Sequence, residues 1–382
     1  MTVDHFLLPP EHRLLRDTVR TVAEAEIAPH AARADESGEF PRASLDALVR
    51  NRLHAVHLPE PVGGEGADAL ASCLVVEEVA RACATTSLVP AVNKVATLPL
   101  LLAGSEEQRK RYLPPVATDG ALFSYALSEP DAGSDTSALR TRAVRDGDHY
   151  VLNGAKRWIT HAGIATYYTV LAVTDPDRGM DGISAFVVEA SDPGVVIGRR
   201  ERKMGLRSSP TCEVLFEDCR IPCDRLIGAP GTGMRTALRA LGHSRVAIAA
   251  QAVGIAQGAL DHARRSVTQR VQFGRPIGDF QGIRFMLADM AMQLEAARQL
   301  TYAAAARSDH DSADLACFSS AAKCYASDTA MSVTTDAVQL LGGDGYTRDH
   351  PVERMMRDAK VTQIYEGTNQ IQRLVLAKHV LS

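Results

Sequence analysis

Glu366 lies in YEGTNQIQR (365–373), a carboxylate on a glycine-hinged turn just ahead of a short amphipathic stretch. A carboxylate in such a place can accept a proton as a general base, although an acid before a glycine is by itself a solvated turn residue. Two other segments set it in context. YALSEPDAGSD (125–135) gathers short hydroxyls around a glycine, where donors can approach a planar group closely. KRWIT (156–160) holds the only tryptophan, Trp158, beside the hydroxyl of Thr160. Taken singly, these read as a capped turn and a core strand; together they read as parts of one site.

The chain that must position them has 382 residues, enough for two or three domains around a large core. Lys and Arg number 42 against 46 Asp and Glu, a net charge of −4 at a pI near 6.3, which argues against a nucleic-acid or anionic-membrane binder. The start, MTVDHFLLPPEHR, is interrupted by charge and does not read as a secretory leader. No apolar run approaches the roughly 20 residues of a bilayer span, so a cytoplasmic location is expected. Seven scattered cysteines are expected to be free thiols. Cys212, Cys219 and Cys223 lack metal-ligand spacing, and no metal site is expected.

Three textures follow one another. Residues 1–120 carry helical periodicity, with Leu15, Val19, Val22 and Ile27 as its first apolar stripe. Residues 121–230 change to short β-branched and aromatic runs such as TYYTVLAV and ISAFVVEA, separated by turn clusters, and read as an antiparallel β domain. Residues 231–382 return to long alanine-rich helices, expected over 234–268, 280–307 and 313–341. GAPGTGMRT (228–236) lacks the Gly-Lys-Ser/Thr of a phosphate loop and the βαβ setting of a dinucleotide fingerprint; it reads as a flexible interdomain connection. The class is therefore α+β: an N-terminal helical domain, a middle β domain and a C-terminal helical domain.

YALSEPDAGSD, KRWIT, RVQFGRPIGDFQ (270–281), QLLGGDGY (339–346) and YEGTNQIQR occur in the order found in the acyl-CoA dehydrogenase family of flavoenzymes, which this chain resembles over nearly its whole length. The resemblance implies a β-barrel-like middle domain, a C-terminal four-helix bundle and FAD as cofactor. It implies that Tyr125, Leu127, Ser128, Gly133 and Ser134 line the flavin, with Ser134 also near CoA. Trp158, Ile159 and Thr160 then lie against the ring, with the Thr160 hydroxyl directed at N5, and Thr368 and Gln370 contact it from the base loop. Arg270, Gln272, Phe273 and Gln281, with Gln339, Gly342 and Gly343, match segments that reach the adenosine diphosphate part of a neighbouring subunit's FAD. An arginine can pair a diphosphate bidentately. A homo-oligomer follows, as a tetramer in relatives.

Glu366 is then the base that takes the α-proton of an acyl-CoA, with Tyr365 and Gly367 framing the acyl chain. Its own N–H polarises the thioester carbonyl, and burial raises its pKa. Some relatives carry their base on the first long helix of the C-terminal domain, where this chain has Ser244; Arg245 is a basic position near substrate, and Gly242 replaces an acidic residue. Pocket depth is expected to depend on residues 89–104, including Ala91, Ala96 and Leu98, and Lys94 reads as a solvated helix residue. The implied activity is dehydrogenation to a trans-2-enoyl-CoA with electrons passed to an electron-transfer flavoprotein. Alternatives are an oxygen-using relative (acyl-CoA oxidase or flavin monooxygenase), a dehydrogenase of carrier-protein thioesters, and a non-catalytic flavin-bearing binding protein. Neither the acyl group nor the carrier follows from the residues.

Overall fold

A computed structural model describes residues 8–381; residues 1–7, on which part of the leader reading falls, lie outside the described residues. The N-terminal helices are α1 (Pro10–Val22), α2 (Ala28–Ser37), α3 (Arg42–Arg50), α4 (Ala69–Ala82), α5 (Ala84–Ala103), α6 (Glu106–Tyr112) and α7 (Pro114–Thr118). Their ends follow local chemistry. Asp68 caps α4 through the Ala71 N–H, Ser105 and Gln108 form a reciprocal capping box on α6, and Gly38 closes α2 in the left-handed conformation.

At 20 residues and a mean hydropathy of 1.3, α5 meets the length and composition of a bilayer span, which differs from the expectation that no such run exists. Buried residues fill 83% of that apolar window, so its hydrophobicity serves the core between α4, the long helix that follows and the sheet. Lys94, expected to be solvated, is only 7% exposed on this helix. The periodicity showed a helix but not that every face of it is covered.

Eight strands make the middle sheet: β1 (Phe123–Ala126), β2 (Arg142–Asp146), β3 (His149–Thr160), β4 (Tyr167–Val173), β5 (Ile183–Glu189), β6 (Val195–Arg200), β7 (Thr211–Pro222) and β8 (Leu226–Ile227). Their order is β6-β7-β3-β2-β4-β5-β8, mostly antiparallel, with β1 joining β4 in parallel and one parallel bridge between β2 and β4. Register shifts in β3 against β7 fall between Lys156 and Ile159, and this bulge pushes Arg157 and Trp158 out of the ladder.

The C-terminal helices are α8 (Gly233–Gln269), α9 (Gln281–Asp309), α10 (Leu315–Leu341), α11 (Gly343–Tyr346), α12 (Val352–Thr362) and α13 (Asn369–Leu381). The three long ones begin and end within two residues of the expected bounds. Residues 240–256 of α8 are buried on every side, because this helix runs between α4 and α5 on one flank and the bundle on the other. Gly254 and Gly258 make the α4 crossing possible: a Cβ at Gly254 would stand 2.1 Å from the Glu77 carbonyl oxygen, and one at Gly258 2.5 Å from that of Arg81. Next to this crossing, buried Glu77 takes hydrogen bonds from Arg298 and Tyr302 of α9, both at 2.9 Å. Removing one partner of such a pair costs roughly 3–5 kcal/mol. The glycines of 228–233 also serve close approach rather than slack, since a Cβ on Gly233 would meet the Ser184 carbonyl carbon at 2.4 Å.

Candidate active site

Between α12 and α13 the chain turns through Tyr365, Glu366 and Gly367. Glu366 (φ 57°) and Gly367 (φ 87°) are both left-handed, a conformation that costs a glutamate about 1–3 kcal/mol and persists only where neighbours enforce it. Here they do. Arg245 Nε and Gln372 Nε2 donate to the Glu366 carbonyl at 3.3 and 3.1 Å, and Gln372 also donates to the Gly367 carbonyl at 2.9 Å. Lys323 Nζ donates to the Gly367 carbonyl at 2.8 Å and to Asn369 Oδ1 at 2.9 Å, while the Asn369 amide donates to Ser327 and Asp328, both at 2.8 Å. Thr368 caps α13 by accepting the Ile371 N–H at 3.3 Å.

The backbone is thus fixed, and the carboxylate itself is left with one hydrogen bond. Ser244 Oγ donates to Glu366 Oε2 at 2.8 Å. Burial pushes the Glu366 carboxyl above its ordinary range, opposed by the Ser244 hydrogen bond and the positive charges of Arg245 and Lys323. Its own N–H meets no acceptor among the described residues. The group is therefore a half-buried base with an unpaired amide donor beside it.

Tyr365 turns away from the carboxylate, and its hydroxyl donates to Gln251 Oε1 of α8. Gln251 Nε2 in turn donates to the Ala84 carbonyl at 3.1 Å and Ser87 Oγ at 3.0 Å on α5. This chain of polar groups joins the base loop, α8 and α5 a short way from Glu366. A glutamine in an alanine-rich helix was the signal for it in the sequence, whereas Lys323, Asn369 and Gln372 carried no such mark.

Segments 125–134 and 156–160 meet each other, and Tyr125 lies close enough to Glu366 to feel its charge. The Tyr125 hydroxyl is buried without a partner, and Glu366 is the one charge that adds to the effect of burial in raising its pKa. Lys156 Nζ holds the Leu127 carbonyl at 3.0 Å, and the Arg157 N–H holds that of Ser128 at 2.8 Å. Trp158, at the bulge, is 52% exposed with φ 63° and lies under the guanidinium of Arg157, 4.4 Å from the ring centroid. Ile159 is buried, and the Thr160 carbonyl accepts from Ser124 Oγ at 2.7 Å. Gly133 and Ser134 sit on an exposed loop tip, with nothing within 4 Å of where a Gly133 Cβ would stand.

The remaining residues form a separate, exposed group. Val271–Gln272 pairs with Arg275–Pro276 across a two-residue turn at Phe273 and Gly274, both with positive φ, and Phe273 is 93% exposed. Arg270 Nη1 donates to the Leu341 carbonyl at 2.8 Å and lies 3.6 Å from the position of a Gly342 Cβ, so the 270–281 and 339–346 segments meet. Gln272, Gln281, Gln339, Gly343 and, on the base loop side, Gln370 are exposed.

A three-domain helix–sheet–helix fold with a half-buried carboxylate near the buried Tyr125 hydroxyl defines a class of flavin-dependent oxidoreductases. The chain belongs to the acyl-CoA dehydrogenase family, whose N-terminal, middle and C-terminal domain profiles match residues 9–120, 124–219 and 231–381. It is 60% identical over 378 residues to the probable acyl-CoA dehydrogenase FadE25 of Mycobacterium tuberculosis, covering 99% of this chain and 97% of that one. It is similar to the solved butyryl-CoA dehydrogenase of Megasphaera elsdenii, with TM-score 0.95 and 38% identity over 98% of this chain and 99% of the other. It is also similar to a chain in the structure described as "Electron transferring flavoprotein of Acidaminococcus fermentans: Towards a mechanism of flavin-based electron bifurcation", with TM-score 0.96 and 42% identity over 98% and 99%.

Members of the family are FAD-dependent flavoproteins. The residues fit such a group: an orphaned buried tyrosine hydroxyl, an unpaired Glu366 N–H, an exposed indole held in a left-handed conformation, and unfilled space beside Gly133, Gly343 and the tip of the arginine hairpin. Among the described residues no cluster of three potential metal ligands occurs.

Proposed function

We propose that the protein oxidises a short-chain acyl-CoA to the trans-2-enoyl-CoA, with Glu366 taking the α-proton and an electron-transfer flavoprotein accepting the electrons. The observation that carries this reading is Glu366 itself: a carboxylate held in a strained turn, raised in pKa by burial, with Ser244 rather than an acid across from it. FAD, when bound, supplies the acceptor for the β-hydride. The chain's own residues do the rest. Burial makes Glu366 a stronger base than a solvated carboxylate, and the Ser244 hydrogen bond opposes that rise by favouring the ionised form. The free Glu366 N–H is a donor for a thioester oxygen that gains charge as the α-proton leaves, and Arg245, Lys323 and Gln372 fix the two peptides that follow it in the turn.

The segments around Tyr125, Leu127, Ser128, Gly133, Ser134, Trp158, Ile159 and Thr160 would hold the flavin, with Thr368 and Gln370 from the base loop. Arg270, Gln272, Phe273, Gln281, Gln339, Gly342 and Gly343 would meet the diphosphate of a second copy's cofactor, which makes the working unit a homo-oligomer. The short acyl chain is supported by the Tyr365–Gln251–Ser87 bridge, whose paired polar groups would be costly to part for a longer alkyl chain. The solved relative named for butyryl-CoA is consistent with this size.

Anaerobic mixing of the purified flavoprotein with acyl-CoAs of increasing length tests the proposal. Bleaching of the flavin should be fastest with short chains, and reoxidation should be fast with an electron-transfer flavoprotein and slow with O2. Rapid peroxide formation would instead make the protein an oxidase, and bleaching only by carrier-protein thioesters would exchange the substrate.

A further inference from the structure

The KRWIT strand brings a fully buried ammonium to the back of the loop that precedes it. Lys156 is 0% exposed, and its partner Glu129 is 5% exposed. Lys156 Nζ donates to Glu129 Oε1 at 2.7 Å and to the Leu127 carbonyl at 3.0 Å. Glu129 completes its shell with the N–H groups of Thr141 at 3.0 Å to Oε1 and Arg140 at 2.6 Å to Oε2. Its own N–H and carbonyl close a tight turn with Ala132, at 3.0 and 3.2 Å. The bonds from Lys156, Thr141 and Arg140 satisfy the buried Glu129 carboxylate, as a buried ion pair requires.

The bond to the Leu127 carbonyl has a further effect that charge balance does not need. In a trans peptide the carbonyl and the following N–H point in opposite directions, and the described chain has no cis bond. Drawing the Leu127 carbonyl toward Lys156 therefore turns the Ser128 N–H away from the strand. That N–H meets no acceptor among the described residues. The next carbonyl, that of Ser128, is held by the Arg157 N–H at 2.8 Å, so the following peptide is tied to the strand as well. Loop 127–134 and strand segment 157–160 are thereby locked as one body.

We propose that Lys156 is a positioning residue of the flavin site, fixing the 127–128 peptide so that the Ser128 N–H is presented as a hydrogen-bond donor to the cofactor ring. The inference rests on the reading of 125–134 and 158–160 as the flavin cradle. Its effect reaches the cofactor through one oriented amide, so it should be visible in the bound flavin's affinity and potential rather than in the fold alone.

The test uses apoprotein titrated with FAD and the reduction potential of the reconstituted flavin, measured against a reference dye, for wild type, Lys156→Met and the double variant Lys156→Met with Glu129→Gln. The double variant removes both charges together, and its glutamine can still accept a backbone N–H. It is expected to keep the wild-type far-UV spectrum and thermal transition while its FAD dissociation constant rises at least tenfold and its flavin potential moves. A double variant that binds FAD within twofold of wild type at an unchanged potential overturns the role of Lys156. Should that variant not fold, Lys156→Met alone decides on the same two readouts, a wild-type affinity and potential again overturning the proposal. Wild-type apoprotein that takes up no FAD would overturn the cradle reading itself, a result distinct from an unchanged variant.

Discussion

The base loop at 365–372 and the hairpin at 270–276 are both strained, and they are treated in opposite ways. Glu366 stands at φ 57° and Phe273 at φ 51°, each a bulky residue in the left-handed region. Around Glu366 the chain supplies Arg245, Lys323, Asn369 and Gln372, each bonded to the turn or its cap. Around Phe273 the described residues supply the two-residue ladder of the hairpin and, for the side chain, an edge-on contact with Phe280, 6.0 Å between centroids, and leave the ring in solvent. Strain survives where surroundings over-determine it. The base loop finds those surroundings within its own chain; the hairpin does not, which supports the proposal that its surroundings come from another copy.

The sharpest way to break this comparison is at the base. Glu366→Gln keeps the turn's shape and its backbone bonds but removes the proton acceptor. General-base catalysis is worth roughly 10²–10⁴-fold, so anaerobic bleaching by a short acyl-CoA should slow by that factor while FAD and acyl-CoA still bind. Bleaching at the wild-type rate would remove Glu366 from the mechanism.

The hairpin gives the second test. Charge-assisted hydrogen bonds contribute about 1.5–3 kcal/mol, so Arg270→Ala should weaken FAD binding by roughly 10- to 100-fold. The more telling measurement mixes the two variants. If Arg270 serves a neighbour's cofactor, co-refolded Glu366→Gln and Arg270→Ala chains will form some sites with both residues intact, and bleaching will return. If both residues serve one site in one chain, every mixed site keeps a defect and nothing returns.

The contrast also shows what the residues disclosed in advance. Helix lengths were legible because alanine-rich periodicity over more than 20 positions has few other readings, and α8, α9 and α10 fall close to the expected ranges. The burial of α5 was less so. Lys94 and two prolines within it resemble a surface segment, and only the packing of α4 and α8 against it shows otherwise. Glu366 and Ser244 were legible as motif positions. The groups that hold them were not: Lys323 and Gln372 lie 43 residues before and 6 after the base, and no local pattern ties a buried lysine to a distant glycine carbonyl. Polar satisfaction of a strained turn is a tertiary property, visible only once the elements are placed.

Asp358 offers a smaller effect on stability. It is buried on α12 and accepts the Leu206 N–H at 2.6 Å, and burial raises its carboxyl from 3.8 to about 6. The native state therefore holds this proton more tightly than the unfolded chain does. That contribution is present below the unfolded value and is lost as pH climbs from about 4 through about 6, amounting to roughly 3 kcal/mol above both values. Asp358→Asn keeps an acceptor for Leu206 and sheds the buried charge, losing its attraction to Arg354. Above pH 6 it should stabilise the protein by about 1–2 kcal/mol, a few degrees in Tm. Thermal scans at pH 4.5 and 8 should show the gain only at the higher pH; a lower Tm at pH 8 would show that the charge is needed.

Ser244→Ala carries the finest distinction, because it leaves the base in place and changes only its proton affinity. Burial raises the Glu366 carboxyl, and the Ser244 hydroxyl opposes burial by donating to the ionised form at 2.8 Å. Removing the donor must move the carboxyl further up. The acid limb of the bleaching rate should then shift to higher pH, with the plateau above it within about threefold of wild type if Ser244 takes no proton itself. A limb that stays in place would mean that Arg245 and Lys323 alone set the ionisation. A lost plateau with an unmoved limb would make Ser244 a contact of the substrate, and the tuning of this base would then rest entirely on the backbone clamp that the hairpin lacks.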